Sequence, residues 1–264
     1  MDTSRDFELE KVFLLREKHN GQKTSAYESD LLRLHAGEPL AYIIGFIPFL
    51  GAKIFLDSHP LIPRPETEYW TEEAVREITV YREQFTEKEE RIKILDLCAG
   101  SGAIGVAVLQ RVPGVLVDFA DIDSSHFPTI QKNVRTNGID ESLVHILESD
   151  IWSAITDTYD FILSNPPYLS KNRTDRIETS VLQSEPEKAL FAEENGFALI
   201  RKILEGLDAH LKPKGVLYIE HEPEHEETLK ELAHTLHFKA ETLPDQYGVL
   251  RYSIIRRLKV ESGM

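Results

Sequence analysis

Ile92-Lys93-Ile94-Leu95-Asp96-Leu97-Cys98-Ala99-Gly100-Ser101-Gly102-Ala103-Ile104-Gly105 is the stretch that decides the fold. A short apolar run, too short for a helix, ends in glycines and passes into residues of helical pattern. That is a buried strand turning into a helix. Glycines at such a turn let the backbone adopt positive φ and approach a ligand closely, and the helix start behind them presents unpaired N–H groups. Outward from this stretch the pattern repeats. Strand-like runs fall at 92–97, 115–120, 143–147, 161–163, 216–219 and 249–255, and the clearest intervening helix is 197–211, with Leu199, Ile200, Ile203, Leu204, Leu207 and Leu211 on one stripe. Buried strands alternating with helices predict an α/β, Rossmann-like, mostly parallel doubly wound sheet.

Upstream, residues 1 to about 45 read as short helices broken at His19-Asn20-Gly21, and 41–56 as a hairpin or a pair of short strands around Gly45 and Gly51. Ile62-Pro63-Arg64-Pro65-Glu66 excludes helix interior, because each proline also restricts the residue before it. A helix is predicted over 67–81, then a charged connector over 83–91. The charge run 220–231 reads as the solvated start of a helix.

Asp and Glu outnumber Lys and Arg by 45 to 30, a net charge of −15. Such a surface opposes bulk nucleic-acid binding, which draws its affinity from cationic neutralisation of phosphate. One cysteine, Cys98, excludes an internal disulfide and a thiol-rich metal site. The first twenty residues lack the apolar core of a signal peptide, and no apolar run approaches the roughly 20 residues of a membrane helix. The expectation is a soluble, cytoplasmic chain.

Gly100-x-Gly102-x-x-Gly105, followed by Asp121 at the end of the next strand, also spells the dinucleotide fingerprint. Asp121 is placed to accept both hydroxyls of an adenosyl ribose. Asp96 is expected to face the incoming ligand, where a carboxylate repels pyrophosphate and welcomes a cationic amine and sulfonium. The expected cofactor is therefore S-adenosyl-L-methionine. After the fourth strand comes Asn165-Pro166-Pro167-Tyr168. Neither proline has an N–H, so the Asn165 side-chain carbonyl and the Pro166 main-chain carbonyl are acceptors that could grip both hydrogens of a planar NH₂ group, with the Tyr168 ring over its face. The nitrogen lone pair is then free to meet a methyl sulfonium, by positioning rather than by a strong base.

Asp96 to Gly105, Asp121, Asn165-Pro166-Pro167-Tyr168 and Ile62-Pro63-Arg64-Pro65-Glu66-Thr67-Glu68 together resemble the bacterial peptide chain release factor N5-glutamine methyltransferases, class I enzymes dependent on S-adenosylmethionine. Pro39-Leu40-Ala41-Tyr42-Ile43-Ile44-Gly45 and Glu185-Pro186-Glu187-Lys188-Ala189-Leu190-Phe191 extend the resemblance, which spans roughly residues 39 to 257. It implies a seven-stranded domain over 67–264, a hairpin and linker over 46–66 and a small helical substrate-recognition domain over 1–45. It implies methylation of the glutamine in the Gly-Gly-Gln loop of translation release factors. Cys98, Ala99, Gly100, Ser101, Gly102, Asp121 and Asn165 would hold the cofactor, and Asn165, Pro166, Pro167 and Tyr168 the glutamine amide. Adenine would be flanked by Ile151 or Trp152, the first by gapless match and the second by stacking power. Arg64 and Glu66 either pair on the surface or help close the site over cofactor or substrate.

The chain departs from the family pattern in three places: Cys98 replaces the first loop glycine, the helical part before the shared segment is short, and Glu220-His221-Glu222-Pro223 replaces Glu-Ile-Gly. Two other classes compete: a nucleic-acid amino-methyltransferase acting on adenine, which predicts a basic strand path, and a cofactor-binding module without turnover. A monomer that binds release factors and no nucleic acid directly is expected, with no metal. His221-Glu222-Pro223-Glu224-His225 spells a zinc-protease pattern, but Pro223 keeps the two histidines off one helix face.

Overall fold

The structure is a computed structural model that describes residues 3–84, 91–170, 172 and 185–258, without the side chains of 3–6 and 188. Most of the charged connector predicted at 83–91 lies outside the described residues. Seven strands form the expected sheet: β3 (Lys93–Leu97), β4 (Leu116–Asp121), β5 (Val144–Glu148), β6 (Tyr159–Ser164), β7 (Leu211–Glu220), β8 (Phe238–Pro244) and β9 (Leu250–Arg257). Their order is β5-β4-β3-β6-β7-β9-β8, with β9 antiparallel to both of its neighbours and every other pair parallel. The chain reverses its direction of travel across the sheet between β3 and β6, so a crevice opens beyond the carboxyl ends of those two strands.

Alternation along β3 explains the layering. Ile94 packs with the layer formed by α4 (Pro65–Glu83) and α5 (Ala103–Arg111), through Trp70, Ala74, Ile78, Val106 and Val108. Leu95 and Leu97 face the opposite layer, built by α7 (Ala198–His210) and α8 (Glu226–Thr235) with Ile200, Ile203, Leu207 and Leu229. Period 2 in the strand meets the helical stripes on each side. The remaining helix of the core is α6 (Phe127–Thr136), behind β4 and β5. Gly105 lies so close to β4 that an added Cβ would stand 2.4 Å from the Phe119 ring.

Four expectations change. The helix predicted at 67–81 starts at Pro65, which occupies its first turn, where the missing N–H costs nothing. The hairpin predicted from residue 41 begins later, because α3 (Leu40–Ile44) precedes β1 (Phe46–Phe49) and β2 (Ala52–Phe55). The edge strand β8 was absent from the predicted strands: Lys239 and Glu241 alternate with Phe238, Ala240 and Thr242, and no apolar run marks it. The run 220–231 is a solvated helix start only in its second half: Glu220 is 1% exposed at the end of β7 and His221 is 0% exposed, whereas α8 opens with Glu226 and the exposed Glu227.

The N-terminal helices α1 (Thr3–Glu17) and α2 (Ser25–His35) form a separate small cluster with α3 through Leu14, Tyr27, Leu34 and Ile43. Beside it, buried Asp30 accepts from Lys18 (2.7 Å), His19 (3.0 Å) and Arg33 (2.9 Å). The hairpin belongs instead to the large core through Phe49, Ala52 and Ile54. Its outer side is held by two carboxamides of α6. Asn133 accepts from the Phe55 N–H (2.7 Å) and donates to the Phe55 carbonyl (3.1 Å), while Asn137 accepts from the Lys53 N–H and donates to the Lys53 carbonyl, both at 2.9 Å.

Candidate active site

The turn after β3 forms with three left-handed residues, Cys98 (φ 63°), Gly100 (φ 53°) and Gly102 (φ 75°), the last capping α5. Asp121 straps it: Oδ2 accepts from the Gly100 N–H at 2.8 Å, and Oδ1 accepts from the Asp123 N–H at 2.9 Å. Asp96 is corrected. It does not face the crevice but lies fully buried behind the loop, where Oδ2 accepts from the Gly105 N–H at 2.9 Å and Oδ1 has no partner. Burial, with the Asp121 charge nearby, pushes its carboxyl up to about 8 against the pull of the Gly105 bond. Burial and the carboxylates of Asp121, Asp96 and Asp150 push the Cys98 thiol well above the ordinary thiol range, which disfavours the nucleophilic thiolate.

A pocket of about 540 Å³ opens beyond β3, β4 and β6, within the size range of small-molecule sites. Cys98, Ala99, Gly100, Ser101, Asp121, Ile151 and Asn165 line it together. Three carboxylates, Asp121, Asp123 and Asp150, reach its wall, and among the described residues no Lys or Arg does. That donor set fits a cation such as S-adenosylmethionine and disfavours a pyrophosphate. Ile151 holds φ 51°, a strained value for a β-branched residue. Ser149 secures it by donating to the Ile151 carbonyl (2.8 Å) and accepting from the Ala154 N–H (3.0 Å).

Trp152 is also corrected. Its indole packs on Gly206, stacks on His210 at 4.5 Å between centroids and donates to the Lys202 carbonyl at 3.0 Å, away from the pocket wall. Of the four-residue motif, Asn165 and Pro167 reach the wall while Pro166 is buried. Tyr168 is tethered by its hydroxyl, which donates to Glu220 at 2.7 Å. Gly196 (φ 93°) lies beneath the same turn with no space for a Cβ, which would stand 1.9 Å from the Tyr168 carbonyl oxygen.

Two functional groups escaped the sequence reading. Glu220 accepts from the Thr67 hydroxyl (2.7 Å), the Trp70 indole N–H (2.7 Å) and Tyr168, and burial raises its carboxyl while those three bonds and Arg251 lower it. Thr67, 2% exposed on the pocket wall, accepts from Asn165 Nδ2 at 3.2 Å. Thr67 stands within the quoted proline-arginine stretch, so its position was visible, whereas nothing in the sequence joins it to Glu220. Arg64 pairs with buried Glu185 rather than Glu66, and Glu185 also accepts from the Ile62 N–H at 3.2 Å. Glu66 stays in the first turn of α4, off the pocket wall. The segment behind Glu185 closes one side of the pocket with Pro186, Ala189 and Phe191, and it is tied to the motif by Leu169, whose N–H donates to the Leu190 carbonyl at 2.9 Å.

His221 and His225 both point inward. His221 bonds Ser253 Oγ at 2.8 Å, His225 bonds the Asn195 carbonyl at 3.1 Å, and no metal-binding group of three or more ligands exists among the described residues. Nor is any described helix long and apolar enough to cross a membrane.

Residues 80–192 match the family described as Methyltransferase small domain. The chain is 35% identical to a release factor glutamine methyltransferase of Lactococcus lactis subsp. lactis, over 78% of this chain and 72% of that protein. It is 32% identical to one of Streptococcus pneumoniae, over 92% of this chain and 84% of that protein. Among solved structures, the catalytic domain of human METTL16 superposes with a TM-score of 0.59 over 81% of this chain and 78% of that one, at 16% identity, a likeness of fold.

Proposed function

Since the chain belongs to the release factor glutamine methyltransferases, we propose that it transfers a methyl group from S-adenosylmethionine to the N5 side-chain amide nitrogen of the glutamine in the Gly-Gly-Gln motif of translation release factors. One observation carries this reading: the Asn165 carboxamide stands in the wall of a carboxylate-lined pocket, beside the glycine turn of β3. The backbone from Cys98 to Gly102, with Asp121 and Ile151, holds the donor. When bound, S-adenosylmethionine supplies an electrophilic methyl on a sulfonium sulfur.

Asn165 Oδ1 and the Pro166 carbonyl accept the two amide hydrogens of the glutamine and turn its nitrogen toward the donor. The Tyr168 ring, anchored through Glu220, packs the amide. With the amide so held, bound S-adenosylmethionine would supply the methyl, its sulfur would keep the electron pair of the broken S–C bond, and the surplus proton of the nitrogen would pass to solvent. The described pocket wall carries His126 and three carboxylates and no Lys or Arg, and the residues of the motif act by orientation. The Arg64–Glu185 pair holds the Pro186 to Phe191 segment against the site. The helices within residues 1–45 present the factor, the 46–66 segment joins them to the core, and 67–264 carries the chemistry.

The test offers labelled S-adenosylmethionine with a full-length release factor, the same factor with its loop glutamine changed to alanine, and adenine-containing DNA. Label on the first alone is expected. Label on DNA would move the assignment to nucleic-acid amino groups, and none on any would leave a binding module. Asn165→Ala is expected to lower turnover by about 10²–10³-fold, the loss typical of one positioned polar group, with donor binding measured alongside.

A further inference from the structure

We infer that Thr67 is a positioning residue that fixes which end of the Asn165 carboxamide meets the substrate, and that it thereby sets the discrimination between a glutamine amide and a glutamate carboxylate. The inference rests on the glutamine reading above and deepens it.

A chain of donors and acceptors forces the direction. The Trp70 indole N–H can only donate, and it donates to Glu220 Oε2, an oxygen that in the ionised carboxylate has no proton to give back. Thr67 bonds the same oxygen at 2.7 Å. A hydroxyl has one proton, and here it is committed to the carboxylate, so toward Asn165 the Thr67 oxygen offers lone pairs alone. Only the NH₂ side of the carboxamide satisfies them, as the 3.2 Å contact from Asn165 Nδ2 has it. Oδ1 is left for the pocket, where an acceptor suits the N–H hydrogens of an amide and repels the oxygens of a carboxylate. Turned the other way, Asn165 would set Oδ1 against the Thr67 lone pairs and present a donor to the substrate. The orientation of the group that grips the substrate is thus imposed from β7, through a buried carboxylate whose other oxygen is held by Tyr168. A site built on hydrogen-bond polarity discriminates more strongly than one built on shape, because the wrong partner leaves buried groups unpaired.

Thr67→Val keeps the shape of the side chain and removes the hydroxyl. The release factor is assayed as substrate, and its Gln→Glu form is added as a competitor. In the wild type, half-inhibition by the Glu form is expected only far above the KM for the Gln form. In Thr67→Val the carboxamide is free to turn. The kcat falls about 10–100-fold, the separation between the two concentrations narrows at least tenfold, and donor affinity stays within about twofold. Thr67→Ser restores both values. Should Thr67→Val fail to fold, Thr67→Cys carries the same comparison, since a thiol of similar size is a weaker acceptor. A folded, donor-binding Thr67→Val or Thr67→Cys with unchanged discrimination overturns the inference, as does a Thr67→Ser that fails to restore it. A wild type that does not methylate the factor overturns the glutamine reading instead.

Discussion

Cys98 carries a left-handed backbone, φ 63°, at the turn after β3 that lines the pocket. An L-residue there costs roughly 1–2 kcal/mol, part of which a glycine returns through its greater freedom in the unfolded chain. Cys98→Gly is therefore expected to gain up to about 1 kcal/mol in urea unfolding, and Cys98→Val to lose about 2 kcal/mol because of its branched Cβ. Both are read as shifts of the denaturation midpoint. His221 gives a prediction of opposite kind. Burial holds its pKa down to about 4, with His225 and Arg251 adding to that effect and the Glu222 carbonyl and Glu226 opposing it. Below its ordinary pKa of 6.5 the unfolded chain takes up a proton that the folded chain refuses, so this site removes stability as pH falls from about 6.5 to about 4. The unfolding free energy of the wild type is expected to drop across that window more steeply than that of His221→Gln. At this scale the sequence showed the Cys98 departure and the motif residues, because their meaning is local. It hid Glu220, a carboxylate at the head of a charged run that becomes an interior group only when Thr67 and Trp70, some 150 residues earlier, close over it.

Between elements, the tightest approach to the substrate motif is at Gly196, where a Cβ would stand 1.9 Å from the Tyr168 carbonyl oxygen. Gly196→Ala must push that turn outward. A displacement on the order of 1 Å at a positioning group costs up to about 10²-fold, so kcat is expected to fall by about that much while donor binding, which uses the β3 turn, is retained. Calorimetric donor binding beside steady-state rates checks this. The same scale shows which elements were legible. The strands at 92–97 and 115–120 announce themselves as continuous apolar runs, buried on both faces. β8 does not, because an edge strand with one wet face, Lys239 and Glu241 outward, reads like a loop.

The whole molecule is a class I methyltransferase core with a smaller cluster attached. Leu14, Tyr27, Leu34 and Ile43 form a cluster of their own, and the sheet's two apolar layers each hold many more buried side chains. A cluster that small is expected to open locally, well below the free energy of global unfolding. Hydrogen exchange should find α1 and α2 amides the faster class, and Leu14→Ala should strip their protection while β3 and β6 keep theirs. The helical character of this part was plain from spacing, yet the Asp30 cluster that ties the end of α1 to α2 was not, since Lys18, His19 and Arg33 read singly as surface charge. One feature of the hairpin bears on the fate of the molecule at high concentration. The free side of a two-stranded ribbon is a template on which another chain's backbone can grow. Asn133 and Asn137 occupy that side of β2 with side-chain peptides, a two-residue imitation of the missing strand that leaves an incoming chain nothing to copy. Asn133 also donates to the Ser101 carbonyl at 2.9 Å, so the cover on β2 and the shape of the glycine turn after β3 depend on one carboxamide, and a change there is felt in both at once.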